Sequence, residues 1–162
     1  RQRQMCIRDR MSLDQLMKVV PPKDFDGSEY SKTVLETIRD RCSTLNEFST
    51  NADYFFKDPE DYEQSLLLKH CKENTFDHLS LLKEQLEALQ IWEQAHIKEV
   101  IDRVALDLEI GFGKIGLPLR LALTATVNSP SIDLVCEILE KEITIRRLES
   151  FLIKIKNLKT DQ

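Results

Sequence analysis

Glycine and proline are scarce in this sequence, with 4 and 5 residues among 162. Almost no segment alternates apolar with polar residues over the length of a β-strand. Leucine, glutamate, lysine, isoleucine and aspartate dominate instead, a composition that favours helices. The sequence therefore predicts an all-α fold, and its length and 41% hydrophobic content suffice for one compact domain or two small ones.

Long apolar runs and clustered cysteines are also missing. No run approaches the roughly 20 residues that a membrane-spanning helix needs, and no hydrophobic secretory segment opens the chain, so we expect a cytoplasmic protein without a membrane partner. The four cysteines are too far apart for a C-x-x-C pair or a disulfide framework, and we expect reduced thiols. They are Cys6, Cys42, Cys71 and Cys136.

A basic excess, which nucleic-acid-binding proteins usually have, is absent, because the net charge is −5. The basic residues are unevenly distributed, however. Residues 141–159 contain six of them against two acids, so a local basic face can coexist with an acidic total. These six are Lys141, Arg146, Arg147, Lys154, Lys156 and Lys159.

Residues 1–10, RQRQMCIRDR, contain four arginines, one acid and no amphipathic pattern of useful length. The run from Met5 to Arg10 resembles the translation of a sequencing-library adapter, and we expect residues 1–10 to be an artefact that precedes a truncated gene product. A native disordered basic arm and an organelle presequence are the alternatives.

Local signals predict several helices. Ser28 can cap a helix that runs to about Cys42, and Thr44 with Glu47 forms a capping-box pattern. Apolar periodicity predicts one helix over 76–89 and another from about Trp92 to Glu109. Pro118 is expected to open a short apolar helix, and a Ser129 cap would place Pro130 in the first turn of the next helix.

The segment from Gly111 to Leu148 carries the most specific pattern: Pro-Leu-Arg-x-Ala-Leu-Thr at 118–124, Ser-Pro at 129–130, Lys-Glu at 141–142 and paired arginines at 146–147. In order and spacing it resembles the C-terminal anticodon-binding region of bacterial-type glutamyl-tRNA synthetases. A second resemblance lies upstream, where Arg-Asp-Arg at 39–41 precedes Thr-Leu-Asn-Glu at 44–47 and the aromatic cluster Tyr-Phe-Phe at 54–56. We interpret that cluster as packing rather than as base stacking.

This resemblance implies an all-helical fragment with a first subdomain at 11–57, a second at 58–157 and a tail at 158–162. The intact enzyme would attach glutamate to tRNA(Glu) with ATP and magnesium, in a catalytic domain that we expect to lie outside this fragment. The fragment itself would be a monomer that binds tRNA(Glu), with no DNA partner, no cofactor, no metal and no catalytic residue. Two alternatives are a ligase that charges both tRNA(Glu) and tRNA(Gln), and a helical protein-protein interaction module.

The resemblance also implies anticodon-binding residues. Arg41 lies where the family places an arginine that contacts the last anticodon base, and a guanidinium suits base-edge recognition. Arg120, Ser129 and Ile132 correspond to positions that meet the anticodon stem-loop. Arg146 and Arg147 could attract phosphates, or they could simply keep their helix soluble. An ordinary surface ion pair is the alternative role for every arginine.

Two departures from the family concern backbone geometry. The family commonly has glycine after Ala-Leu-Thr and again before Lys-Glu, whereas this chain has Ala125 and Glu140. A left-handed turn is easier for glycine than for either residue, so contacts at Ser129 and Ile132 depend on the local loop geometry.

Two other motifs indicate sites that we disfavour. Residues 111–116 match G-x-G-x-x-G, but no strand precedes them, so a flexible turn fits better than a dinucleotide site. His70, Cys71 and His78 suggest zinc, but adjacent residues do not easily bind one ion and a fourth ligand is missing.

Overall fold

The computed structural model describes residues 11–19 and 25–160, and every regular element within those ranges is helical. The prediction of an all-α fold is therefore confirmed. The predicted adapter segment, with Cys6, lies outside the described residues. The eight helices are α1 (Leu13–Val19), α2 (Glu29–Arg39), α3 (Leu45–Phe56), α4 (Gln64–His70), α5 (Thr75–Ala88), α6 (Gln94–Asp107), α7 (Gly113–Thr124) and α8 (Ile132–Thr160).

The chain divides into two compact units between Lys57 and Asp58, and the first contains α1, α2 and α3. Local capping starts its helices as predicted: the Ser28 side chain accepts from the Ser31 amide, and Thr44 and Glu47 form the complete capping box. Helix α2 ends at Arg39, slightly before the predicted end.

Aromatic rings close the apolar interior of this first unit. Phe56 makes edge-on contacts with Phe25 and Tyr30, at centroid distances of 5.3 and 5.6 Å. The Tyr30 hydroxyl donates to the Phe55 carbonyl at 2.7 Å, and Phe55 itself is 3% exposed. The interpretation of the aromatic cluster as packing is confirmed.

The second unit is built around α8, which packs against α5, α6 and α7. Its interior is made of apolar side chains, mostly aliphatic, that recur at helical spacing on each of these helices. Fully buried members include Leu79, Leu82, Leu86, Ile97, Ile101, Ile115, Leu119, Leu139, Leu148 and Phe151.

Four details of the second unit differ from the sequence predictions. Helix α4 was not predicted, because its seven residues are too few to show a period. Trp92 precedes α6 instead of starting it, and its indole N–H donates to the Cys136 carbonyl at 3.0 Å. Helix α7 begins at Gly113, so Pro118 lies inside it. Helix α8 begins at Ile132, so Pro130 lies ahead of the first turn and Ser129 is not its cap.

Helix α8 is interrupted at Glu140, where the backbone has φ 66° and ψ 164°. The helical segments 132–139 and 141–160 meet at this residue at a sharp kink. The other predicted glycine-like position, Ala125, ends α7 in the left-handed conformation with φ 55° and ψ 12°. Both positions where the resembled family has glycine therefore have positive φ in this chain.

Candidate functional site

The Arg120 side chain braces the loop between α7 and α8. Its Nη1 lies 2.7 Å from both the carbonyl and the hydroxyl oxygen of Ser129, and 2.8 Å from the Pro130 carbonyl. Thr124 closes the other end of the loop, since its hydroxyl lies within 3.0 Å of the Arg120 and Thr126 carbonyls. The guanidinium is half-buried, and its orientation is fixed by the loop that it supports.

Ser129 and Ile132 point inward. Ser129 is 4% exposed and its hydroxyl is engaged by Arg120, while Ile132 is 1% exposed. In this conformation the two side chains shape the loop, and the surface there is formed by the exposed Asn128 and Ser131. A direct RNA contact by Ser129 or Ile132 therefore stays a prediction, and it would require the loop to open.

The paired arginines of α8 have different environments. Arg146 is 58% exposed and makes a forked hydrogen bond to the Asp58 carboxylate through Nη2, at 2.7 and 2.9 Å. The side chain of Arg147 is only 3% exposed, with Nε 2.9 Å from Asp58 Oδ1 and Nη1 2.7 Å from the Leu123 carbonyl. Arg147 is thus a structural residue of this unit, and Arg146 is the one with surface to offer a phosphate.

Asp58 and Tyr62 fasten the start of the second unit onto α7 and α8. Burial pushes the pKa of the Asp58 carboxyl upward, but the hydrogen bonds and charges of Arg147 and Arg146 outweigh it and hold that pKa below its ordinary value. Tyr62 packs on Phe151 with ring centroids 5.2 Å apart, and its hydroxyl donates to the Ala122 carbonyl at 3.3 Å. Burial raises the pKa of Tyr62 to about 12.

Arg41 belongs to the first unit, at the end of α2. Its amide donates to the Ile38 carbonyl at 2.9 Å, and its side chain is exposed. The neighbouring Arg39 has a structural task instead, because its Nη2 donates to the Met11 carbonyl at 2.8 Å. Of the two arginines in this segment, Arg41 is the one that presents its side chain to solvent.

Sequence reasoning overlooked Phe112, an aromatic ring at the start of α7 that is 44% exposed. Gly116, one helical turn later, leaves room for the ring, since a Cβ added there would lie 2.6 Å from Phe112 Cε1. Exposed rings of this kind can stack on unpaired bases. The signal available in the sequence was a phenylalanine between two glycines at a helix start.

In the described part of the chain, neither disfavoured motif has the surroundings that a dinucleotide site or a zinc site needs. G-x-G-x-x-G forms the turn between α6 and α7 and the first turn of α7, with no strand before it in residues 25–160. No group of three or more His, Cys, Asp or Glu side chains in the described ranges could hold a metal ion. Burial raises the pKa of the Cys71 thiol to about 11, which disfavours the thiolate that zinc needs.

A comparison with protein families places these residues in a known domain. The family model described as "Anticodon binding domain" matches residues 12–152, which include part of the first unit and most of the second. The chain belongs to the anticodon-binding domain family. The match spans Arg41, the braced loop at Arg120 and the paired arginines, so the resemblance noted in the sequence is confirmed at the level of the family.

Solved structures share the fold of this anticodon-binding domain. A glutamate tRNA ligase from Elizabethkingia meningosepticum superimposes with a TM-score of 0.81 at 23% identity, covering 92% of this chain and 30% of that chain. A glutamate-tRNA synthetase from Elizabethkingia anophelis gives 0.75 at 22% identity, covering 88% and 29%. The chain thus spans less than a third of the length of either protein.

Within residues 11–19 and 25–160, no helix combines the length and the apolar character that a bilayer span requires.

Proposed function

We propose that this chain is the anticodon-reading part of a glutamate-tRNA ligase, that its RNA partner is tRNA(Glu), and that it works in the cytoplasm. The match of the anticodon-binding domain family over residues 12–152 carries the proposal. The shared fold with two glutamate-tRNA ligases supports the choice of amino acid. The whole ligase would activate glutamate with ATP and magnesium, and the chain described here would supply RNA recognition.

Arg41, Arg120 and Arg146 differ in exposure and in hydrogen-bond partners, and these differences suggest a different role for each. Arg41, exposed at the end of α2, has five donors in a planar fork that match the acceptors on a base edge. Arg120 keeps the loop at 125–131 in one shape, so that the exposed residues of that loop meet the anticodon without first having to be ordered. Arg146, over half exposed, adds attraction for a phosphate.

Unpaired loop bases are the targets that suit these side chains. Proteins that recognise RNA by sequence mostly contact the splayed bases of loops, through stacking and hydrogen bonds to their edges. Phe112 offers a stacking face, and Arg41 offers donors. A tRNA anticodon loop presents both kinds of target.

The test compares two hairpin RNAs of 17 nucleotides, one with the anticodon loop of tRNA(Glu) and one with the same loop scrambled. We expect the full chain to bind the first hairpin more tightly, and we expect Arg41→Gln to reduce that preference by about 10-fold, since a bidentate base contact contributes about 1–3 kcal/mol. Fluorescence anisotropy with labelled hairpins measures both affinities.

Arg103→Gln is the matched control, because Arg103 is exposed on α6 and makes no hydrogen bond or ion pair to another described residue. It should leave the preference unchanged. Equal affinity of the folded wild-type chain for both hairpins would refute anticodon reading. An equal preference for the loop of tRNA(Gln) would identify a ligase of relaxed specificity instead.

A further inference from the structure

A cleft of about 690 Å³ in the second unit is lined by basic side chains from three separate stretches of chain. Lys69 and His70 come from the end of α4, Lys72 and His78 from the connector and the first turn of α5, and Lys114 from the first turn of α7. Glu73 is the only acidic residue in the lining. Three ammonium groups against one carboxylate give the cleft a positive charge within a unit whose total charge is negative.

These basic groups are available to a ligand. The side chains of Lys69, His70, His78 and Lys114 make no hydrogen bond or ion pair with any other described residue. By contrast, Lys83 lies between Glu87 and Glu149, and Lys141 donates to two backbone carbonyls at the end of α5. Lys72 donates to the Leu68 carbonyl at 2.7 Å, which leaves Lys69 and Lys114 as the lysines that an anionic occupant could pair with.

One wall of the cleft is open backbone. A Cβ added at Gly111 or at Gly113 would meet no atom within 4 Å, so neither glycine is needed to fit a neighbouring group. Gly111 and Gly113 are exposed at the start of α7, so an approaching anion can come close to the backbone there. Lys114 follows directly and adds its charge at the same place.

We propose that this cleft binds phosphate groups of the sugar-phosphate backbone of the RNA whose anticodon loop this domain reads. The proposal rests on the proposed function for the identity of the RNA. Lys114 of the cleft and Arg120 of the braced loop both belong to α7, so one helix connects the two places. The contact is independent of base sequence, since ammonium groups bind phosphates as point charges.

The experiment uses the double variant Lys69→Gln, Lys114→Gln in the full chain and the two hairpins described above. Each lost phosphate contact lowers the dependence of log affinity on log salt by roughly 0.7–0.9, so the double variant should reduce the magnitude of that slope by about 1.5. The preference for the native over the scrambled loop should stay within twofold of wild type, because no base contact is removed.

The matched control is Lys32→Gln, Lys98→Gln, which removes the same charge from helical lysines that already pair with Glu29 and Asp102. Its salt slope should equal that of wild type. Circular dichroism confirms that each variant is folded.

The outcomes separate the two proposals. A cleft variant with the slope of the control overturns the cleft, and anticodon reading stands if the loop preference persists. Equal binding of both hairpins with a reduced slope in the cleft variant overturns anticodon reading and supports the cleft. Absence of RNA binding by folded wild-type chain overturns both, and competition by poly-glutamate as strong as by hairpin RNA overturns RNA as the occupant.

Discussion

Glu140 occupies a backbone conformation that almost only glycine adopts. A φ of 66° with a ψ of 164° costs a side-chain-bearing residue of order 1–3 kcal/mol. Contacts on both sides hold it there: Thr144 donates to the Cys136 carbonyl across the kink, and Lys141 donates to the carbonyls of Glu87 and Leu89 at the end of α5. The kink is therefore imposed by the surrounding packing and not by the preference of Glu140.

Replacing Glu140 by glycine should stabilise the protein. Relief of the strain exceeds the roughly 0.5–1 kcal/mol that glycine costs through the entropy of the unfolded chain, so we expect Glu140→Gly to raise the free energy of unfolding by about 1 kcal/mol. Urea titration followed by circular dichroism measures the change.

Glu142→Gly is the control for this substitution, since it removes the same charge two residues later from exposed, regular helix. It should lower stability by about 0.5–1 kcal/mol. Parallel destabilisation by both variants would contradict the strain at Glu140.

At the scale of elements, the segment before α4 is fixed to α8 through Asp58. Arg147 is almost wholly buried, and its Nε pairs with the Asp58 carboxylate at 2.9 Å. A buried guanidinium without a counter-charge is destabilising, although the half-exposed state of Asp58 screens part of the effect. The anchor joins residues 89 positions apart in sequence.

Asp58→Asn should therefore lower the free energy of unfolding at pH 7 by about 1 kcal/mol. The pKa of Asp58 is depressed in the folded state, so its contribution is fully present above the unfolded pKa of about 4 and is lost as pH falls through the lower folded value. The difference between wild type and variant should thus shrink below pH 4.

Asp61→Asn provides the comparison for this anchor, because Asp61 is exposed in the same segment and its side chain makes no hydrogen bond or ion pair with another described residue. Its stability should match wild type at every pH. A cost at Asp58 that is equal at pH 3 and pH 7 would argue against the ionic anchor.

The helix caps and the position of Trp92 differ in how far the sequence could predict them. The caps at Ser28 and Thr44 were predictable because each depends on a residue three positions away. The position of Trp92 was not, because it depends on a carbonyl 44 residues later.

The residues of the candidate site were likewise predictable only in part. Family resemblance identified the segments, but Arg146 and Arg147 are neighbours in sequence and only the packed helix decides that one is exposed and the other buried. The basic cleft was missed because its lysines and histidines come from three separate stretches, each unremarkable by itself. In the sequence, His70 and His78 suggested only a metal site.

At the scale of the whole chain, local basic surfaces operate against an acidic background. Residues 58–162 contain 13 lysines and arginines against 19 aspartates and glutamates, a net charge of −6. Short-range contacts at the cleft and at Arg146 are favourable to RNA, whereas the longer-range field of this unit repels a polyanion. The two effects act on different kinetic steps, because the field governs encounter and the contacts govern residence.

Neutralising distant acids should accordingly accelerate RNA binding without prolonging it. Glu84 on α5 and Glu99 on α6 are exposed, and their side chains make no hydrogen bond or ion pair with another described residue. The double variant Glu84→Gln, Glu99→Gln therefore changes the electrostatic field and little else. We expect the association rate for the hairpin to rise about twofold to fivefold near 0.01 M salt, where the Debye length is about 30 Å, and the gain to vanish near 1 M, where it is about 3 Å. Stopped-flow fluorescence measures the rate at each salt concentration, and Gln85→Asn serves as a neutral control on α5. A slower dissociation rate with unchanged association would place these two glutamates inside the binding surface and contradict the long-range effect.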